Sequence, residues 1–269
     1  TQYCKEKLKY VSFGNSLTSI GMKAFSGCSG LTSIAIPNSV TSIEGGAFSG
    51  CSGLTSIEIP NSVACIGNFA FSGCTGLKSI KISNSITSID SYAFSGCSGL
   101  TNIEIPSSVT SIGAGAFSGC SGLTSIAIPN SVTSIEAYAF DSCSGLTSIY
   151  VSLKEPLYLS TSLFLFSNID YSKCVLYVPI GTSSLYASAN VWKEFQHIVE
   201  FEPKYNMFAA DNNGNDINKV INSGDDVTID DTYQSLSVTE DIDNVNVSYS
   251  RTYKNTSWQA WYVPFGFTM

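Results

Sequence analysis

The sequence predicts a β-rich repeat solenoid with 23-residue coils, a parallel sheet and a C-terminal cap, and three observations carry that expectation. Phenylalanine stands at 25, 48, 71, 94, 117 and 140, each 23 residues after the one before. Cysteine at 28, 51, 74, 97, 120 and 143, and leucine at 31, 54, 77, 100, 123 and 146, keep the same step without insertion. Within the first unit, Leu31, Ile34 and Ile36 keep the spacing L-x-x-I-x-I and end at Pro37. A unit this short cannot bury its own apolar face, so a strict period of this length signals stacked coils. Stability then becomes a sum of interfaces between neighbours.

The elements follow in chain order. Residues 1–7 are expected to shield the first face. Residues 8–20, "LKYVSFGNSLTSI", match the second half of a unit, with Val11 and Phe13 in the places of Ile34 and Ile36. Strand alternation puts Ile34 and Ile36 on one face and Ala35 on the other. Pro37 and Asn38 turn the chain, and Val40 and Ile43 supply a second short strand or bridge. Ala47 and Phe48 begin the return leg, where "SGCSG" is too rich in Gly and Ser for a long helix. Parallel neighbours are then spaced at about 4.8 Å.

After Cys143 the period breaks. The strand and proline recur at Leu176, Val178 and Pro179, and an aromatic segment follows with Tyr186, Trp192 and Phe195. An open solenoid needs its last face covered, so 153–202 is expected to be the cap. The solenoid with its half-coil and cap spans 1–202. Residues 203–269 are expected to be a linker and a partial β-rich segment. "DNNGNDINKVINSGDD" is polar and rich in turn formers, whereas "VNVSYSRTYKNTSWQAWYVPFGFTM" alternates like paired strands.

The spacing F-x-x-C-x-x-L-x-x-I-x-I-P resembles the BspA-type leucine-rich repeat of bacterial surface proteins, over Leu8 to about Glu202. The resemblance implies a leucine-rich-repeat solenoid with its sheet on the concave face. It also implies an exported, non-catalytic adhesin of a gut or oral bacterium that binds a host or neighbouring-cell protein. In the general pattern an Asn or Cys precedes a further apolar position by two residues. Here Ser39, Ser62, Ser85, Ser108 and Ser131 fall there, with Asn beside most of them. Either column could satisfy the turn carbonyls.

Composition narrows the partners. Asp and Glu outnumber Lys and Arg by 21 to 13, a net charge of −8. Without a basic run the chain has no electrostatic grip on nucleic acid or on anionic membranes. No apolar stretch approaches the roughly 20 residues that cross a bilayer, and "TQYCKEKLKY" lacks the apolar core of a signal peptide.

The residues that could carry chemistry are few. The column Cys28, Cys51, Cys74, Cys97, Cys120 and Cys143 has neither C-x-x-C pairs nor converging directions, so it is expected to be a buried hydrophobic column, with no metal. Cys4, Cys65 and Cys174 lie off that column and are the better candidates for exposure. His197, the one histidine, stands in the cap segment, where packing is the expected role. Glycosidases need two carboxylates facing one bond, and Glu58 and Glu104 share an outward column about 9.6 Å apart. Lys81 stands between them, and a charge ladder Glu58–Lys81–Glu104 is the expected reading. "DNNGND" at 211–216 has glycine fourth rather than sixth and no Glu at the twelfth position, so it reads as a solvated turn and not a calcium loop. No cofactor is expected.

Two columns vary inside otherwise repeated units. One is Ala35, Glu58, Lys81, Glu104, Ala127 and Tyr150 on the sheet face. The other is Lys23, Gly46, Phe69, Tyr92, Gly115 and Tyr138, just before the Ala–Phe pair. Variation on a constant scaffold is where a solenoid stores specificity. The candidate ligand residues are therefore Glu58, Lys81, Glu104, Tyr150, Phe69, Tyr92 and Tyr138. Three functions remain: protein binding, binding of a mucin-like glycan by the aromatics, and carbohydrate cleavage by Glu58 and Glu104. Covering the coil edge is the structural alternative for the aromatics.

Overall fold

The computed structural model describes residues 6–160 and 163–201 in full, and the strands between 205 and 250 by their backbone. The chain divides into two units, Thr1–Pro203 and Lys204–Met269. The first is a parallel-strand β-solenoid of about eight turns with little helix. Its strands are β1 (Ser19–Ile20), β2 (Ser42–Ile43), β3 (Ser56–Glu58), β4 (Cys65–Ile66), β5 (Ser79–Lys81) and β6 (Ser88–Ile89). They continue with β7 (Ser111–Ile112), β8 (Ser125–Ile128), β9 (Ser134–Ile135), β10 (Ser148–Val151), β11 (Val175–Pro179) and β12 (His197–Phe201).

The regular coils build two sets of parallel ladders. The L-x-x-I-x-I run supplies β3–β5 and β8–β10–β11–β12, with Ile57 opposite Ile80, and Ile126, Ile149 and Leu176 aligned. The Ser-Ile pair after the turn supplies β1–β2–β4 and β6–β7–β9, with isoleucine opposite isoleucine throughout. These isoleucines are buried, so the 23-residue step is a register of side chains as well as of backbone.

The return leg closes the coil without helix. Ala47, Ser49 and Cys51 N–H groups donate back to Glu44, Gly46 and Phe48 of their own turns. The alternate donors, Gly46, Phe48 and Gly50, reach Asn68, Ala70 and Ser72 of the next coil at 2.7–2.8 Å. Buried backbone groups need such partners, and alternation lets one short segment satisfy both its own turn and its neighbour. Inside this leg the phenylalanines stack from Phe25 to Phe140 and on to Phe166, at 5.3–5.6 Å between ring centres.

The cysteines complete the spine. The column is buried, and no disulfide joins the described cysteines. The thiols of Cys51, Cys74, Cys97, Cys120 and Cys143 donate to the phenylalanine carbonyl of the preceding coil at 3.1–3.2 Å. Those carbonyls also accept the cysteine N–H of their own coil. The column is therefore a row of donors as well as small apolar groups. Of the off-column cysteines, Cys65 is exposed on β4, Cys174 is buried rather than exposed, and Cys4 lies outside the described residues. Cys174 precedes β11, where the chain turns inward to build the cap.

Serine, not asparagine, serves the turn. Ser39, Ser108 and Ser131 donate to Leu17, Ile86 and Val109 carbonyls at 2.6–2.7 Å. Ser85 donates instead to Asn61, and the Ser62 hydroxyl is buried without a partner. A second pattern spans two coils. Acid and glycine alternate at Glu44, Gly67, Asp90, Gly113 and Glu136. Glu44 and Glu136 accept the Met22 and Ala114 N–H groups of the preceding coil at 2.9 and 3.0 Å. A side chain at Gly67 or Gly113 would press on the backbone of Gly45 or Ser91, at 2.8 and 2.7 Å.

The cap is built on α1 (Ser183–Ser188) and one 3-10 turn, Trp192–Glu194. Trp192 and Tyr186 are fully buried and donate to the Leu157 and Leu153 carbonyls at 3.2 and 2.8 Å. Phe195 meets Phe166 edge-on, at the end of the phenylalanine stack. His197 is exposed on β12 rather than packed, because β12 extends the sheet with His197 opposite Val175.

In the second unit, β13 (Tyr205–Asp211), β14 (Asp216–Ile221), β15 (Asp226–Asp230), β16 (Tyr233–Val238) and β17 (Asn246–Ser250) form two small sheets. The order β14–β13–β16 is antiparallel, and β15 runs parallel to β17. The stretch expected as a linker thus carries β14: its turn formers separate two paired strands. The 212–215 part of the "DNNGND" segment lies outside the described residues.

Burial pushes the Cys143 thiol from 9.0 up to about 12. A group with a raised folded pKa stabilises fully below its unfolded pKa and loses that contribution as pH rises through the folded one. The urea midpoint is therefore expected to fall between pH 8 and pH 10.5, and to fall less in Cys143→Ala. At pH 8 in native protein, a maleimide should label Cys65 far faster than the column; equal rates would show the column to be accessible. Trp192→Ala should cost about 3–5 kcal/mol, measured by chemical denaturation, because it empties the cap and orphans the Leu157 carbonyl.

Candidate functional site

The outward column of the sheet is exposed at Ala35, Glu58, Lys81, Glu104 and Ala127, and half-buried at Tyr150. Parallel register sets Glu58 on β3 beside Lys81 on β5, and their charged groups meet at 3.2 Å with both side chains more than 70% exposed. The expected three-member ladder is a pair: among the described residues Glu104 has no ion pair. Residues 101–106 join no strand ladder, so nothing aligns Glu104 with Lys81 as β3–β5 pairing aligns Glu58. The pair contributes about 0.2–1 kcal/mol, as exposed pairs do.

The same two side chains border an open cleft of about 600 Å³, shared with Ala35, Asn38, Pro60 and Asn61. The cleft lies where the first ladder has not yet closed. Thr55 N–H reaches the Thr32 carbonyl at 3.3 Å, but residues 33–36 make no ladder bond with 56–59. The unpartnered Ser62 hydroxyl is in its wall. Nearly identical repeats gave no sign of this opening.

At the far end of the face, Tyr150 stacks on Tyr177 at 4.4 Å, with Phe201 edge-on at 5.5 Å. Tyr177 and Phe201 were missed because the period fails before them. Their signal was the alternation in "VLYVP" and "HIVEF", which places both on the face of Tyr150.

The second variable column has a shared backbone property. Lys23, Gly46, Phe69, Tyr92, Gly115 and Tyr138 all have positive φ, from 56° to 64°, and Phe164 continues the column at 47°. Glycine is the default there, and an L side chain costs about 1–2 kcal/mol. Yet Phe69, Tyr138 and Phe164 are 47, 42 and 53% exposed. Each side chain leans over the next coil. Phe69 stacks on Tyr92 at 4.8 Å and 5°, and Tyr138 on Phe164 at 5.7 Å and 10°. A methyl group added at Gly115 would strike the Tyr92 ring. Sequence comparison of the coils found this column but not its left-handed geometry, which the glycines at 46 and 115 signal.

Nothing in this arrangement assembles a nucleophile with a base, and no cluster of three His, Cys, Asp or Glu capable of holding a metal occurs among the described residues. No helix among them is long and apolar enough to cross a membrane.

Comparison with known proteins is decisive for the family. The model of the BspA type leucine rich repeat region matches at residues 1–98 and 71–189, in six copies. The chain belongs to the BspA-type leucine-rich repeat family. No curated protein matches it. A leucine-rich repeat protein from Eubacterium ventriosum is 28% identical with a TM-score of 0.50, over 56% of this chain and 45% of that one. A leucine-rich repeat protein of T. pallidum is 29% identical with a TM-score of 0.45, over 60% and 79%. The pneumococcal vaccine antigen PcpA is 20% identical with a TM-score of 0.54, over 65% and 43%, a likeness of fold alone. The chain thus spans less than half the length of the E. ventriosum protein. BspA-type repeat proteins and these neighbours are generally non-catalytic.

Left-handed strain and ring stacking oppose each other at the aromatic column. Relief of about 1–2 kcal/mol offsets loss of about 0.5–1.5 kcal/mol of stacking. Phe69→Gly and Tyr138→Gly should therefore change unfolding free energy by no more than about 1 kcal/mol in urea titrations. A loss several times larger would make these rings structural.

Proposed function

We propose that this BspA-type chain is an exported, non-catalytic bacterial surface protein that binds a host or neighbouring-cell protein through the outward face of its sheet. The observation that carries the reading is the cleft beside Glu58 and Lys81, where exposed charge meets an opening in the ladder. Leucine-rich repeat domains generally mediate protein interactions. Contacts spread over a stiff repeated surface bind with little ordering cost, which suits a large ligand. Tyr150 and its aromatic neighbours extend the same face and supply an apolar anchor of the kind that dominates interfaces.

Carbohydrate cleavage by Glu58 and Glu104 is disfavoured, since Lys81 stands between them in the column and engages one of the two carboxylates that glycoside hydrolysis needs. The test is biolayer interferometry against a panel of purified host matrix proteins and bacterial surface proteins. Replacing Glu58, Lys81 and Glu104 together by alanine should weaken the interaction about tenfold or more, with the unfolding midpoint nearly unchanged. Binding that survives this triple change and a Tyr150→Ala change would place recognition elsewhere in the chain.

A further inference from the structure

The left-handed column is a ladder of flat side chains with a rung missing at Gly115. Each ring sits one coil beyond its own Cα: Phe69 lies against Tyr92, Tyr92 over Gly115, and Tyr138 against Phe164. The next ring in the series would be a side chain from residue 115, and glycine supplies none. The Tyr92 and Tyr138 rings are therefore two coil spacings apart, about 10 Å, room for one further ring between two parallel faces. The coil pitch does not impose this gap, because consecutive rings fit where Phe69 and Tyr92 stack. Nor does it stabilise the coil, since the flanking rings carry left-handed strain, with Tyr138 42% exposed and Tyr92 half-buried. Strain kept at an exposed position points from geometry to function.

The rim selects the occupant. Glu136 and Asp141, two residues before and three after Tyr138, reach back to the coil of Gly115. Glu136 accepts the Ala114 N–H at 3.0 Å, and Asp141 lies 3.5 Å from the Ser118 hydroxyl and accepts from Asn168 at 3.2 Å. Asp141 also accepts from the Ser142 hydroxyl at 3.2 Å, and both carboxylates keep acceptor capacity that a ring inserted beside them must meet with donors. A Phe ring has no such donor, and a Tyr or Trp ring has only one in its plane. A pyranose ring presents C–H groups to both aromatic faces and hydroxyls at its edge, where the carboxylates stand. A negatively charged sugar would be repelled by the same pair.

We propose that the gap between the Tyr92 and Tyr138 rings is a subsite for one pyranose ring of a neutral glycan, clamped between the two and bonded at its edge by Glu136 and Asp141. This site is separate from the protein-binding face and does not rest on that reading.

Saturation-transfer NMR and calorimetry on the full chain test it, with N-acetylchitotriose and lacto-N-triose as neutral probes and sialyllactose as the charged one. At least one neutral trisaccharide should bind, with sialyllactose clearly weaker. Tyr92→Ala, Tyr138→Ala and the rung-filling Gly115→Phe should each reduce affinity about tenfold. Tyr158→Ala, at a 92% exposed position outside the column, should leave it unchanged. The alanine triple at Glu58, Lys81 and Glu104 should keep saccharide binding, which separates failure of this proposal from failure of the protein-binding one. If Gly115→Phe does not fold, the two tyrosine variants decide. Absence of binding by both neutral probes, or binding that survives both tyrosine changes, overturns the proposal. Equal affinity for sialyllactose overturns the role of the carboxylates.

Discussion

The structure depends on one requirement: a solenoid with little helix and strands of two to five residues must find partners for nearly all its buried backbone groups. It does so by translation. Every donor of the return leg alternates between its own turn and the next coil, as Ala47 and Phe48 do. The phenylalanine carbonyl takes both an N–H from its own coil and a thiol from the next, as Phe48 does from Cys51 and Cys74. Cysteine suits that place because it is small enough for the stack and still donates. Alanine would fill the space less well, and serine would bring a more strongly hydrated group into a dry core.

Once translation satisfies the backbone, side chains outside the stack are released from structural duty. Ala35, Glu58, Lys81, Glu104, Ala127 and Tyr150 differ in size and charge at one strand position, yet the buried isoleucines on either side stay in register. The left-handed column is only partly released. Its backbone favours glycine, so each Lys, Phe or Tyr there is held against a local preference. Variation on the sheet face costs the fold almost nothing, whereas variation on the column carries strain.

The coil was legible in the sequence because its cause is periodic. The spacing of Phe25, Cys28, Leu31, Ile34 and Ile36 sets which side chains share the core, and repetition makes that reading secure. What the period could not show is where identical residues behave differently. Ser39 and Ser62 occupy the same place in their coils, yet one donates to Leu17 and the other has no partner. Nor could it place Cys174 and His197, since both lie beyond the last regular coil, where burial is decided by how β11 and β12 join the cap.

The alternation of acid and glycine from Glu44 to Glu136 bears on how such an array changes length in the gene. Near-identical coding repeats invite unequal recombination, and a step of 23 codons preserves the reading frame. Removing a single coil between Glu44 and Glu136 would bring two acids or two glycines into neighbouring coils, against backbones that approach closely at Gly45 and Ser91. Removing two coils restores the alternation at the junction. Loss or gain of a coil pair therefore keeps the alternation, although the unit of sequence similarity is the single coil.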